Sequence, residues 1–258
     1  MNNTRKPALN LAEQTTYLNK DIDYLKNISI IEWDIHAAGF SVIKYKKLLP
    51  TDMIATLESM DKKERNIKIG IQIKSHPNIG KEILLTLTQA RKAFVLVNEI
   101  YNEDILTIKK DAIFLIKKRP TITKFKEYFE FMEKSTYTSY MYINKQEFYY
   151  NSYDDVLEVK GLGEEKESLQ HDYFLNDIRK IIKSGERLDS TDLFKYLVRY
   201  RSKYLNRELP KETYRNLKTG YYEIGNYSLE EIDDELFKQI DISQNYMNYL
   251  VPIFNSML

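Results

Sequence analysis

The chain contains no cysteine, which excludes disulfides, thiolate zinc sites, iron–sulfur clusters and thiol nucleophiles. Histidine is scarce: His36, His76 and His171 are the three in 258 residues. They lie too far apart in the sequence for a histidine metal cage, so a bound metal would take oxygen ligands, as magnesium and manganese do. Glycine (8) and proline (6) are also few, which argues against a collagen-like repeat or a low-complexity tract. No apolar run approaches the roughly 18 residues that span a bilayer. The first nine residues lack the apolar core of a signal peptide. The protein is therefore expected to have no membrane partner and to stay in the cytoplasm where it is made, that of a host cell if its source is viral.

What is present is an ordinary globular composition, 43% hydrophobic and 30% charged, in a chain long enough for one large or two small domains with a buried core. The net charge is +1, but residues 1–150 carry a surplus of six basic side chains and residues 151–258 a deficit of five. Phosphate is expected on the basic half. Lysine outnumbers arginine 29 to 10, and Ile, Asn and Tyr are abundant, the bias that AT-rich codons give many phage and low-GC bacterial proteins.

Asn10 to Lys26 has apolar residues at spacings compatible with a short helix, which makes residues 1–27 an N-terminal helical segment. Ile28 to Ile35 is β-branched and ends in an acid, a buried strand. Ala37 to Leu49 then places Phe40 and Ile43 at helical spacing before Pro50. From Thr51 to Lys74 the chain is charged, and Ile67, Ile69, Ile71 and Ile73 alternate as a strand would, with a helix equally open. Ile83, Leu87, Ala90, Phe94 and Val97 form one apolar stripe, predicting a helix over Gly80 to Ile100. Asp104 to Ile116 reads as a β-hairpin with Asp111 at its tip, although the turn lacks the usual Gly or Asn. Thr121 to Glu133 reads as a helix, and Tyr137 to Val159 as two or three strands. After a hinge at Gly161 and Gly163, helices are expected over Lys166 to Lys183, Thr191 to Arg207 and Leu229 to Ile240, the last with Ser228 and Glu231 as a capping box.

Two segments carry chemistry: Trp33-Asp34-Ile-His-Ala-Ala-Gly-Phe-Ser-Val-Ile43 and Ile108-Lys-Lys-Asp111-Ala-Ile-Phe-Leu-Ile116. An acid ending one strand, a charged insertion, a long apolar helix and a hairpin with an acid at its turn follow one another in the order of a nucleotidyl-transfer palm. There, carboxylates on adjacent strands hold two divalent ions. Residues 28–160 resemble the palm domain of template-dependent polymerases. Asp34, Ala38, Phe40, Ser41 and Ile43 fall on positions of motif A of family B DNA polymerases or of reverse transcriptases. The hairpin resembles motif C with Asp111 in the metal-binding place, Gln89 to Lys92 would sit on the preceding helix, and Lys134 to Tyr137 is similar to the Lys-Lys-x-Tyr element that follows. The sequence departs from the pattern in having a single motif C acid behind Lys109 and Lys110, no Lys-x3-Asn-Ser-x-Tyr-Gly motif, and no exonuclease domain in the 30 residues upstream.

The resemblance implies an α+β fold: an antiparallel palm-like sheet with helices on one face, a short fingers-like insertion at 51–80, and a mostly helical, thumb-like region from 161 to 258. It implies a nucleotidyltransferase that adds nucleotides to a nucleic-acid end, with magnesium or manganese held by Asp34, Asp111 and the Ile35 carbonyl. Lys62, Arg65 or Lys68 would bind the triphosphate. Gly39 stands where related enzymes carry a bulky side chain that excludes ribonucleotides. In the C-terminal region, Lys195, Arg199 and Lys203 recur at four-residue spacing beside Tyr196, Tyr200 and Tyr204, a basic stripe suited to a nucleic-acid backbone with rings that stack or pack. Leu193, Phe194, Leu197, Val198 and Leu205 would face the core. Nucleic acid, nucleoside triphosphates and other replication or transcription proteins are the expected partners. Two alternatives stay open: a degenerate palm that binds nucleic acid or a partner polymerase without chemistry, and an α+β protein unrelated to nucleic acid.

Overall fold

A computed structural model describes residues 5–125, 128–143, 146–160, 176, 178–183, 190–214, 223–224 and 227–243. The protein is α+β with an antiparallel sheet. Its chain divides into two compact units, Met1–Ile22 with Ile28–Thr136, and Asp23–Asn27 with Tyr137–Leu258. Residue 160, where the sequence reading ends the palm, closes a strand of the second unit.

In the first unit a four-residue helix α1 (Leu9–Ala12) leads to β1 (Thr16–Leu18) and to the strand β2 (Tyr24–Ile35), which starts earlier than expected. The N-terminal segment is thus mostly not helical: Lys110 N–H donates to Thr15 O, and β1 pairs with β3 (Ile105–Lys109). Beyond β2 come α2 (Ala38–Lys46), α3 (Thr51–Ser59), α4 (Lys62–Ser75) and α5 (Pro77–Val97). The charged insertion, open between strand and helix in the sequence, is helical. Asp61 caps α4 by accepting from the Lys63 and Glu64 amides at 2.7 and 3.0 Å, and Pro77 opens α5, where its missing N–H costs nothing. A Cβ on Gly80 would lie 3.0 Å from Ile73 Cγ2, so α4 and α5 approach closely there and a larger residue would have to push the Ile73 side chain aside.

Next come β3 and β4 (Ala112–Ile116), then β5 (Lys124–Phe125) and β6 (Phe129–Ile143). The strand order in this unit is β1-β3-β4-β2-β6. Helix α5 covers one face, where Ile31, Trp33 and Ile35 of β2 meet Leu87, Ala90 and Phe94. Phe94 is fully buried, stacked on Phe131 at 4.0 Å and tilted against Trp33 at 5.9 Å. The helix expected over Thr121 to Glu133 is absent: a β-hairpin stands there. Asn98 Oδ1 accepts from the Thr121 and Ile122 amides at 3.0 Å each, holding the chain extended, and Phe129 and Phe131 enter the core at the two-residue period of a strand.

In the second unit β6 pairs with β7 (Gln146–Asn151), which pairs with β8 (Val156–Lys160), matching the strands expected over 137–159. The described parts of 176–183 are helical, and helix α6 spans Ser190–Leu205. Gly161, Gly163 and His171 lie outside the described residues. The helix expected over Leu229 to Ile240 begins later: Leu229–Glu231 is a single 3-10 turn, and the helix α7 (Asp234–Gln239) is capped by Asp233, which accepts from the Leu236 amide at 2.7 Å. The Ser228 N–H does donate to Glu231 Oε2 at 2.9 Å, but that bond closes the 3-10 turn behind a small hairpin of β9 (Glu223–Ile224) and β10 (Tyr227–Ser228). The C-terminal region is therefore not wholly helical. Among the described residues no helix is long and apolar enough to cross a membrane.

Candidate functional site

Strand β2 pairs antiparallel with β4 from Ile30↔Ile116 to Trp33↔Ile113, and β3 and β4 close at Lys109↔Ala112. This register brings Asp34, one residue past the last β2–β4 pair, beside Asp111 in the two-residue turn. The turn works without Gly or Asn because Lys110 takes a left-handed φ of 55°, which is costly for a residue with a Cβ. Surrounding bonds hold it. Arg91, buried on α5, donates through Nε to Ala12 O at 2.9 Å, through Nη2 to Gln14 O at 2.6 Å and through Nη1 to Lys110 O. Burial pulls its guanidinium below the usual arginine range, and the Asp111 carboxylate pushes the other way.

The Asp34 carboxyl is held above the usual carboxylate range, first by burial and next by the charge of Asp111. Lys134 of β6 and the Ile35 amide pull it down without reversing the shift. Lys134 Nζ lies 3.5 Å from Asp34 Oδ2 and 3.1 Å from Oε1 of Glu32. Glu32 and Asp34 are two apart on β2 and share a face; Glu32 is only 2% exposed. Asp34 Oδ1 is buried with no hydrogen-bond partner, an uncommon and costly state for an acceptor.

The chain kinks directly after the acid. Ala37, at φ 45° and ψ 44°, turns β2 into α2, a left-handed conformation that strains a residue bearing a Cβ. Ser41 Oγ donates to His36 O at 2.9 Å across the bend. Beside it lies a cavity of about 370 Å³ lined by His36, Phe40, Lys44, Arg65, Lys124 and Glu130 among others. Lys44 pairs with Glu58 at 2.6 Å and Lys124 with Glu130 at 3.3 Å. Arg65 sits 4.9 Å above the Phe40 ring, and its Nε is buried without a hydrogen-bond partner.

The other expected site residues divide. Asp34, Asp111 and Ile35 come together, and Arg65 reaches the cavity, but Lys62 and Lys68 are exposed and do not line it. Gly39 lies in the first turn of α2, where an added Cβ would meet only Ile69 Cγ2 at 4.0 Å. Close packing does not require glycine there. Lys195, Arg199 and Lys203 are exposed on α6, Lys195 within 3.3 Å of Asp192. The tyrosines of α6 pack, and part of its expected apolar stripe does not face the core. Tyr200 and Tyr204 are buried and Tyr196 packs partly against the same core, while Phe194, Val198 and Leu205 are exposed. The rings are fixed from the inside: Tyr204 packs tilted against Tyr214 at 4.4 Å, and the Tyr214 hydroxyl donates to Tyr204 O. Glu32 and Arg91 carried no signal strong enough to single them out; a buried acid and a buried base in apolar segments are the only trace they leave.

Among the described residues no group of three or more His, Cys, Asp or Glu side chains is placed to hold a metal. Two carboxylates, one with an orphaned buried oxygen, fit an ion of the magnesium type, which commonly takes one or two carboxylates and fills its shell with water and substrate oxygens.

Fold and site together define an α+β protein with an acid pair at the junction of two antiparallel strands. The chain belongs to the bacteriophage PBS1 gene 130 protein family, whose family model matches residues 7–258. No curated protein matches it.

Proposed function

We propose that the acid pair serves metal-dependent nucleotidyl transfer onto a nucleic-acid end. The observation that carries this reading is the pairing itself: Asp34 and Asp111 meet across β2 and the β3–β4 turn, with a buried Asp34 oxygen lacking any partner. A magnesium or manganese ion supplies charge stabilisation for an in-line displacement at phosphorus. The protein's own parts are positional. Asp34 and Asp111 hold cations, Arg91 fixes the turn that carries Asp111, and Arg65 offers an unsatisfied N–H beside a cavity of mononucleotide size. In the transfer, a 3′-hydroxyl would give its proton to solvent while its oxygen bonds to the α-phosphorus of a nucleoside triphosphate and the bond to pyrophosphate breaks. The exposed cations of α6 would add nucleic-acid affinity. Replication or transcription in the phage-infected host cytoplasm is the setting this activity implies.

One observation favours a second reading, a non-catalytic palm that binds nucleic acid or a partner protein. Lys134 already bridges Glu32 and Asp34, so the acids hold an ammonium without any metal. Incorporation of labelled nucleoside triphosphates on primed templates, with magnesium or manganese, separates the two. The proposal expects incorporation by the wild type and its loss in both Asp34→Asn and Asp111→Asn. Nucleic-acid binding without incorporation selects the second reading, and full activity in both variants overturns the acid-pair assignment.

A further inference from the structure

Ile67, Ile69, Ile71 and Ile73 alternate along α4, and at about 100° per residue a helix sends them to opposite sides. Ile69 is 6% exposed, and Ile73 reaches Gly80 and packs on the same core. Arg65 enters the cavity from that inner side. Ile67 and Ile71, each two residues from Ile69, lie about 160° round the helix from it and are 55% and 52% exposed. Single exposed apolar side chains are ordinary, but a pair one turn apart, straddling the point opposite the buried seam, makes a second apolar stripe. Lys63 and Lys74 border it on one side and Glu64 and Lys68 on the other, all four exposed. Among the described residues none of the three lysines has an ion-pair partner. Lys68 thus turns to this outer face rather than to the cavity.

We infer that the outer face of α4 docks a partner protein through an amphipathic helix whose apolar stripe covers Ile67 and Ile71 and whose flanks carry Asp or Glu. Charge selects this occupant. Three ammonium groups against the one carboxylate of Glu64 leave a rim of net +2, which acidic flanks complement and basic flanks repel. A second copy of α4 would bring the same lysine-rich rim against itself, antiparallel pairing setting Lys63 of one copy beside Lys74 of the other. A phosphate backbone would satisfy the lysines and leave both isoleucines in water. A bilayer surface draws helices that insert Trp, Phe or Leu, and this face offers two β-branched side chains. Docking here needs neither the acid pair nor a metal, so the inference stands apart from the proposed chemistry.

The test is fluorescence anisotropy of two labelled synthetic helical peptides titrated with the full-length chain. Both carry a leucine stripe at helical spacing, flanked by Glu in one peptide and by Lys in the other. At low ionic strength the Glu-flanked peptide is expected to bind the wild type about tenfold more tightly than the Lys-flanked one, since each exposed ion pair adds little and three act together. Ile67→Ser with Ile71→Ser, both outside the core, is expected to weaken binding of the Glu-flanked peptide about tenfold. Ile122→Ser, at an exposed isoleucine elsewhere, is expected to leave it unchanged. Combining Lys63→Glu, Lys68→Glu and Lys74→Glu is expected to swap the preference to the Lys-flanked peptide, a reversal that a purely structural role of the lysines would not give. If the Glu-flanked peptide does not bind the wild type, or binds no better than the Lys-flanked one, the inference is wrong. It is also wrong if the isoleucine variant splits a wild-type dimer in sedimentation, which makes a second copy the occupant, or frees the chain from phosphatidylglycerol vesicles, which makes a membrane the occupant.

Discussion

Replacing Arg91 with methionine keeps most of the apolar stem and removes the guanidinium that ties α5 to Ala12, Gln14 and Lys110. Hydrogen bonds to a charged donor contribute about 1.5 to 3 kcal/mol each, which would give well over 4 kcal/mol for three. Two effects reduce that figure. The Gln14 and Lys110 bonds are only partly buried, so those carbonyls regain some water, and removing a buried cation relieves the desolvation that pulls its pKa down. The balance is a loss of about 2 to 4 kcal/mol. With a urea slope of about 3 kcal/mol/M, the midpoint of the first unit should fall by about 1 M. Fluorescence of Trp33, the single tryptophan, follows that unit directly because the indole packs against Phe94 of the same helix as Arg91. A midpoint within 0.2 M of wild type, on the order of 0.6 kcal/mol at that slope, would show that the three carbonyls find other partners and that Arg91 does not hold the Asp111 turn.

Two further outcomes follow from the same geometry. Because the folded-state pKa of Asp34 is raised, mainly by burial and then by Asp111, the native state takes up that proton at higher pH than the unfolded chain, and stability falls as pH rises through the window between the two values. Asp34→Asn should therefore melt higher than wild type at pH 7 in metal-free buffer, with the advantage shrinking as pH falls towards 4; a lower melting temperature at pH 7 would contradict this. Replacing Lys195, Arg199 and Lys203 together should weaken nucleic-acid binding and reduce the slope of log affinity against log salt by about two to three, while an unchanged slope would make α6 an ordinary solvated helix.

The parts legible in the sequence were those fixed by local pattern. The α5 stripe from Ile83 to Phe94 and the β-branched run ending at Ile35 each state their own period, and both elements are present. Asp34 and Asp111 could be paired from their order alone because a hairpin and a preceding strand leave few ways to assemble an antiparallel sheet. What failed depended on partners distant in sequence. The residues from Thr121 carry a tolerable helical pattern, and Asn98, twenty-three positions earlier, holds the Thr121 amide and commits the chain to an extended path. Likewise Tyr200 and Phe194 are both apolar enough to face a core; the choice fell to Tyr200 because Tyr204, one turn on, meets Tyr214 from outside the helix. Lys134 was visible only as part of a weak motif, since its role depends on Glu32 and Asp34 lying beside it on another strand.

Asp34 and Asp111 are proposed to form a divalent-cation site. A crystal structure of the wild type grown with saturating manganese, read by anomalous scattering at the manganese edge, tests it most directly. The expected result is a peak bound by both carboxylates, with Asp34 Oδ1 among the ligands. An intact Asp34–Lys134 pair with no peak between the two acids would contradict it.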